Sequence, residues 1–252
     1  MKSYSKINIF LKITGTRDNY HEIASRFILV KSLFDTIEFK KQSNRSFTID
    51  GNFECSTEEN TVYKVYVELS KQFPHIEDFF KTHSVKVEKN IPSSAGLGGG
   101  SSNAATFLLM TNEHLNLGLT KDELSKLGAK VGADIPFFIY GYNSANVRGI
   151  GEIVEPYDEL PIDVELITTD IECNTAKVFK TFREDFFSIT PLDEVEQLFE
   201  IDSGQLLKTL KPTEANDLYD SAMFLCQNLK SIKDDNLFLS GSGSTFFKMV
   251  EQ

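Results

Sequence analysis

Residues 90–105 read NIPSSAGLGGGSSNAA, and after Asn90 the stretch carries no charge; eleven of its sixteen residues are Gly, Ala or Ser. Glycine loses more backbone freedom on ordering than any other residue, so such a run implies a compensating role. Pro92, Ser93, Ser94, Ala95, Gly96, Leu97, Gly98, Gly99, Gly100, Ser101 and Ser102 follow a strand pattern and precede a helical one. Strand, glycine-rich turn and helix converge several amide N–H groups at the positive end of a helix dipole, and a phosphate fills such a nest. A Walker A loop would need Lys after Gly100, where Ser101 stands. A dinucleotide fingerprint would need a third glycine at that position and an acidic residue ending a strand further on, and has neither. A plain tight turn packing a helix closely needs fewer glycines than the four present, which come with four serines.

Several ionisable and polar residues add acid–base and anion chemistry. Asp134 lies in GADIPFF, where Gly132 and Pro136 bracket a turn. Held there by its backbone, its carboxylate can accept a hydroxyl proton, or it can cap a turn at the surface. Lys6 precedes the apolar strand positions Ile7, Ile9 and Leu11. Its ammonium can hold Asp134 ionised and stabilise a developing alkoxide, or point to water from a sheet edge. Lys89 can meet a phosphate as a point charge or sit solvated at the end of a strand. Ser101 and Ser102, at the start of a helix, can cap it or reach a metal, whose ligands the sequence leaves unassigned.

The elements that must position these groups follow from periodicity. Strand signals cover Ile7–Ile13, Phe27–Val30, Asp35–Phe39 and Phe47–Ile49, separated by polar turns. Asn60 opens a helix through Leu69 with Val62, Val65, Tyr66 and Leu69 on one face. Ser84–Glu88 alternates as a strand and feeds the glycine loop; after Ser102 a helix carries Ala105, Leu108, Leu109, Asn112 and Leu115. Thr120 and Glu123 predict a capping box for a further helix through Lys130. The turn EPYDELP marks a domain boundary, giving domains 1–155 and 156–252. Beyond it the pattern predicts a strand at 164–168, helices near 175–183, 193–199, 203–209 and 217–230, and a last strand holding FFKMV.

Composition bounds the class. The 252 residues are 40% apolar, enough for a substantial core, and carry a net charge of −11, which disfavours nucleic acid and anionic lipid as partners. Residues 1–26 hold five basic side chains against two acidic ones, so an anionic ligand is expected at that end. The N-terminal apolar run is too short for a signal peptide and nothing approaches a membrane span. Cys55, Cys173 and Cys226 are odd in number, widely spaced and without a CxxC pair, which predicts free thiols in a reducing cytoplasm.

With the loop and its flanking elements in view, PSSAGLGGGSSNAA resembles the phosphate-binding loop of the GHMP kinases. LSGSGSTFF at 239–247 resembles that family's second glycine-rich segment, and SKINIFL at 5–11 its N-terminal strand. The resemblance implies an α+β chain with the two-domain GHMP kinase fold, an N-terminal ribosomal protein S5-like α/β domain and a C-terminal ferredoxin-like α/β domain. It also implies ATP as phosphoryl donor with Mg²⁺, an alcohol acceptor, and Lys6 and Asp134 as the catalytic pair. Lys6 and Asn8, Arg17–His21, GLGGGSSNAA and GADIPFF resemble the branch acting on a small molecule with a cytidine diphosphate group. In that branch Tyr20 and His21 match the cytidine pocket, Phe179 the other face of the base, Thr175 a hydroxyl contact, and Asn8 a contact at the polyol end. Gly241 and Ser242 match the segment near the substrate phosphates, and Asn60 a nucleotide-side asparagine, although Thr61 stands where Leu is usual. Asn19 occupies the usual glycine position before Tyr20 and is expected to take the left-handed conformation there. The chain ends at Gln252, sooner than is common in the family, so a minimal second domain as monomer or homodimer is expected. Another small-alcohol kinase, or an inactive protein that kept the cradle, are the alternatives.

Overall fold

The computed structural model describes every residue except 44, 233, 235, 251 and 252. Its elements are β1 Lys2–Arg17, β2 Tyr20–Lys41, β3 Ile49–Asp50, α1 Thr61–Gln72, α2 Ile76–Phe80, β4 His83–Glu88, α3 Gly99–His114, α4 Lys121–Ala129 and α5 Ile135–Tyr140. There follow β5 Ser144–Arg148, β6 Ile153–Pro156, β7 Val164–Ile167, α6 Thr175–Thr181, a π turn Phe182–Phe186, α7 Leu192–Glu200 and α8 Ser203–Thr209. The chain closes with α9 Pro212–Ala215, α10 Tyr219–Leu225, a 3₁₀ turn Gln227–Ser231, β8 Phe238–Leu239 and β9 Phe246–Met249. It divides into two interleaved units: Met1–Ser5, Val30–Ser93 and Gly98–Gly141 form the first, and Lys6–Leu29, Ser94–Leu97 and Tyr142–Gln252 the second. The boundary expected at 155/156 therefore falls within the second unit, because β1 and β2 each run from one unit into the other.

In the first unit, β4 pairs antiparallel with the C-terminal half of β2, Thr36 opposite Glu88 and Lys41 opposite His83, and parallel with β3. Phe39, Phe47, Tyr66, Phe80 and Phe107 meet edge-on, tilted or stacked in one aromatic cluster. Asn60 caps α1 by accepting from the Val62 amide at 2.9 Å, and Thr120 with Glu123 forms the expected capping box on α4. α3 starts at Gly99 with Gly98 as its N-cap, one residue before the glycines end. A Cβ on Gly99 would lie 2.9 Å from Ile91 Cγ2, and one on Gly100 3.3 Å from Thr61 Oγ1. Those two glycines therefore serve close helix packing, the structural half of the explanation for the run.

In the second unit, β1 and β2 pair around a tip at Asp18–Asn19, β5 pairs with β2 through Ser25 opposite Val147, and β6 pairs with β5. A separate three-stranded antiparallel sheet has the order β7-β9-β8. Leu11, Ile13, Val178, Phe182, Leu218, Ala222 and Phe246 share one core cluster. Arg26 is fully buried, its guanidinium 3.5 Å from the Tyr157 ring centre and donating to the Asn146 side chain and the Phe199 and Ile201 carbonyls. Glu159 lies 3.5 Å from it; burial lowers the arginine pKa and the carboxylate partly offsets this.

Four expectations change. No turn breaks residues 31–34: β2 is continuous from Tyr20 to Lys41, and exposed Lys31 and Ser32 interrupt the apolar pattern without interrupting the strand. The helix expected over 217–230 is divided at Cys226, whose φ −106° and ψ 68° are not helical. Cys226 is disulfide-bonded to Cys173 with Cα atoms 6.2 Å apart, and Cys55 alone is free; a separation of 53 residues gave no sequence signal. The basic N-terminal end is also partly neutralised from within. Lys12 pairs with Asp217 at 2.7 Å, Arg17 with Glu152 at 2.9 Å, and Arg26 is buried. Among the described residues no helix is long and apolar enough to cross a membrane.

Candidate active site

The candidate residues form two groups, one in each unit. In the second unit the three glycine- and strand-borne motifs interlock. Lys6 Nζ donates to Asn8 Oδ1 at 2.6 Å and to the Gly96 carbonyl at 3.1 Å, and lies 4.7 Å over the Phe27 ring. Asn8 is oriented by donating to Ser25 Oγ at 2.9 Å. The Lys6 amide donates to the Leu97 carbonyl at 3.0 Å, and the Thr245 amide to the Ala95 carbonyl at 3.1 Å. Ser240 Oγ reaches the same Gly96 carbonyl at 3.0 Å. Gly96 has φ +73°, and a Cβ there would sit 2.0 Å from the Ser240 carbonyl oxygen. A Cβ on Gly241 would come within 3.2 Å of Asn8 Oδ1 and 3.5 Å of Lys6 Nζ. Only bare backbone allows these segments to approach so closely. Asn216 fixes the second segment by donating to the Leu239 and Gly241 carbonyls at 2.9 and 2.8 Å.

Nearby in that unit, Thr175 Oγ1 and Ser242 Oγ are 2.8 Å apart, so the hydroxyl at the start of α6 is tied to the second glycine segment. His21 is buried and stacks on Phe179 with ring centres 5.3 Å apart and planes at 29°. Its Nε2 is buried without a hydrogen-bond partner. Burial first, and then the charge of Arg183, lower its pKa below the ordinary histidine value, so the ring is neutral at pH 7. A buried orphan nitrogen on a neutral imidazole is a position that a ligand's polar edge satisfies. Tyr20, by contrast, is 63% exposed. The left-handed residue in this hairpin is Asp18, at φ 53°, and not Asn19 as expected. A cavity of about 600 Å³ lies elsewhere on the unit, bordered by Asn174, Lys177, Gln227 and Asn228; of the candidates only Ser94 touches it.

In the first unit the start of the loop hangs on Asp35, which is fully buried. Its carboxylate accepts from the Asn90 and Ile91 amides at 2.7 and 2.9 Å, from Asn103 Nδ2 at 2.8 Å, and from Lys89 Nζ. Lys89 also donates to Asn103 Oδ1 at 3.1 Å. It is thus neither solvated nor an open point charge, because Asp35 engages its ammonium. Asp35 and Asn103 were not singled out by sequence. The one available signal was an isolated acid on an apolar strand, the pattern that drew attention to Lys6. Asp35→Asn would leave the largely buried Lys89 charge without its counter-ion. We expect a loss of about 3–5 kcal/mol of unfolding free energy, measurable by urea denaturation.

Ser102 does not cap α3: its buried hydroxyl accepts from Ser3 Oγ at 2.7 Å, while Asn103 Nδ2 donates to the same Ser3 Oγ at 2.9 Å. Ser101 is half-buried in the first turn of the helix. Asp134 occupies the N-cap position of α5, but its side chain makes no capping hydrogen bond and is only half-buried. Among the described residues no three His, Cys, Asp or Glu side chains cluster as a metal cage.

Residues 60–142 match the family model of the GHMP kinases N-terminal domain. Over its whole length the chain is 49% identical to the 4-diphosphocytidyl-2-C-methyl-D-erythritol kinase of Sulfurimonas denitrificans, covering 97% of that protein. It is 47% identical to the protein of the same name from Sulfurovum sp. strain NBC37-1, with 100% of this chain and 99% of the relative covered. Among solved structures, that of a 4-(cytidine 5'-diphospho)-2C-methyl-D-erythritol kinase superposes with a TM-score of 0.74 at 27% identity, covering 100% of this chain and 90% of that one. The Methanococcus jannaschii mevalonate kinase, at 14% identity and TM-score 0.60 over 100% of this chain and 90% of that one, shares the fold.

Proposed function

Because the chain belongs to the family of 4-diphosphocytidyl-2-C-methyl-D-erythritol kinases, we propose that it transfers the γ-phosphoryl group of ATP to the 2-hydroxyl of that substrate, a step of isoprenoid precursor synthesis, in the cytoplasm. The observation that supports this most is the interlocking of Lys6, Asn8, Gly96 and Ser240 around a single loop carbonyl. An acceptor and a donor must meet at one place, and this carbonyl ties the polar strand that would face the acceptor to the loop that would grip the donor.

The amides of Gly96–Ser101 would hold ATP's triphosphate, with Ser101 Oγ available to its metal. The N-terminus of α3, with Gly98 as its N-cap, fits an anion. A Mg²⁺ bound chiefly by nucleotide phosphates and water needs only one or two protein oxygens, so a dispersed ligand set is compatible with it. That metal would neutralise charge on the phosphates. Asp134 takes the proton of the acceptor hydroxyl, and Lys6 offsets negative charge as the alkoxide forms. Asn8 orients the polyol through its own bonds to Lys6 and Ser25. Tyr20 and Phe179 offer flat faces to cytosine, and His21 offers its unsatisfied nitrogen to the base edge. Asn60 would stand on the nucleotide side, with its Oδ1 already accepting from the Val62 amide in capping α1.

The test is coupled detection of ADP with ATP, Mg²⁺ and one of three acceptors: the cytidyl substrate, mevalonate or homoserine. We expect kcat/KM for the cytidyl substrate to exceed the other two by at least about 10³, since unpaired polar groups in a base site penalise alcohols that lack the base. Equal or better turnover of either small alcohol would refute the substrate assignment.

A further inference from the structure

We propose that Arg183, together with the π turn Phe182–Phe186 that carries it, latches the Asp18–Asn19 hairpin tip and so positions Tyr20 and His21 for the cytosine base. The inference rests on the base site described under the proposed function, and goes beyond it by assigning a positioning residue outside that site.

Two independent features converge here. The first is ring spacing. His21 is ringed by Phe179 at 5.3 Å, Phe182 at 5.6 Å and Phe187 at 6.4 Å between centres. Phe179 and Phe182, three apart, share a helical face, but in a regular α-helix Phe187 would lie about 140° around the axis from Phe182. The π turn closes with i→i+5 geometry, so residue 187 replaces residue 186 on the His21 face. The wider turn is what completes the aromatic ring set around the imidazole.

The second is the hairpin tip. Asp18 holds a left-handed φ of 53°, a region that few non-glycine residues occupy and that Asp enters more readily than most. On one side of the tip Arg17 reaches Glu152 at 2.9 Å and Glu22 at 3.3 Å. On the other, Arg183 Nη2 donates to the Asn19 carbonyl at 2.7 Å, across 164 residues of sequence. The guanidinium thus joins the residue before Tyr20 to the same turn that presents Phe187. Arg183 is exposed, so this bond adds little to global stability. Its consequence is local: it sets where the Tyr20 ring and the His21 nitrogen stand relative to Phe179.

The test measures kcat and KM for the cytidyl substrate and for ATP in wild type, Arg183→Ala, Arg183→Lys and Phe187→Ala, with thermal unfolding of each. Phe187 is 48% exposed, so its truncation leaves folding intact. We expect Arg183→Ala to raise KM for the cytidyl substrate about tenfold, with kcat, KM for ATP and the unfolding midpoint nearly unchanged. Arg183→Lys recovers part of this, because an ammonium can still donate to the Asn19 carbonyl, and Phe187→Ala raises the same KM. Unchanged KM in Arg183→Ala, an equal rise in KM for ATP, or no recovery with lysine would overturn the latch while leaving the function standing. Absence of cytidyl-substrate turnover in wild type would remove both.

Discussion

Asp134→Asn is expected to lower kcat by about 10³-fold, since removing a positioned general base costs about 10²–10⁴. The substitution is nearly isosteric, and the side chain it changes makes no capping bond to α5. KM for ATP should hold within a factor of about two to three. Loss in kcat and kcat/KM together is the signature of an interaction made only in the transition state. Steady-state kinetics beside an equilibrium nucleotide-binding measurement distinguishes this from a folding defect. Turnover within tenfold of wild type would take Asp134 out of the proton transfer and leave its half-buried carboxylate without a chemical role.

Gly96→Ala is the second large effect. An alanine must hold φ near +73°, at about 1–2 kcal/mol, and its Cβ would meet the Ser240 carbonyl oxygen at 2.0 Å. That oxygen belongs to backbone and cannot swing aside as a side chain would, so the two glycine segments must separate. With overpacking adding about 1–3 kcal/mol, we expect a total loss of about 3 kcal/mol or more and a fall in kcat/KM of at least about 100-fold. Gly118 supplies the control: it has the same φ of +73°, and a Cβ there would meet nothing within 4 Å. Gly118→Ala should show only the conformational cost and full activity. Should the two alanine variants lose the same stability, the close approach of Gly96 to Ser240 would not matter.

How much of this was legible beforehand depended on the range of the interaction involved. The glycine run, the Asn60 cap and the Thr120–Glu123 capping box are written in consecutive residues, and sequence alone located them. The second glycine segment and the Lys6 strand could be listed, but only the fold brings them onto one carbonyl across 90 and 144 residues. Asp35 escaped notice because its four donors lie 54 to 68 residues away. Arg26 reads in sequence as part of a basic surface, yet its desolvation is compensated by Tyr157, Glu159 and carbonyls from 199 and 201, none of them near it in sequence. Polar Lys31 and Ser32 suggested a turn because period-two alternation is informative only where one strand face is buried, and there β2 leaves one unit for the other. The glycines themselves divided in role: Gly99 and Gly100 answer to helix packing, Gly96 and Gly241 to the approach of other backbone and polar groups.

Backbone amides gripping the nucleotide's phosphates is the claim on which the rest depends, and amide chemical-shift mapping with a non-hydrolysable ATP analogue and Mg²⁺ tests it most directly. The expected result is that the largest changes fall on Gly96, Gly98, Gly99, Gly100 and Ser101, with Gly118 and Gly141 unmoved. Saturable binding that leaves those five amides unshifted, and moves others instead, would contradict it.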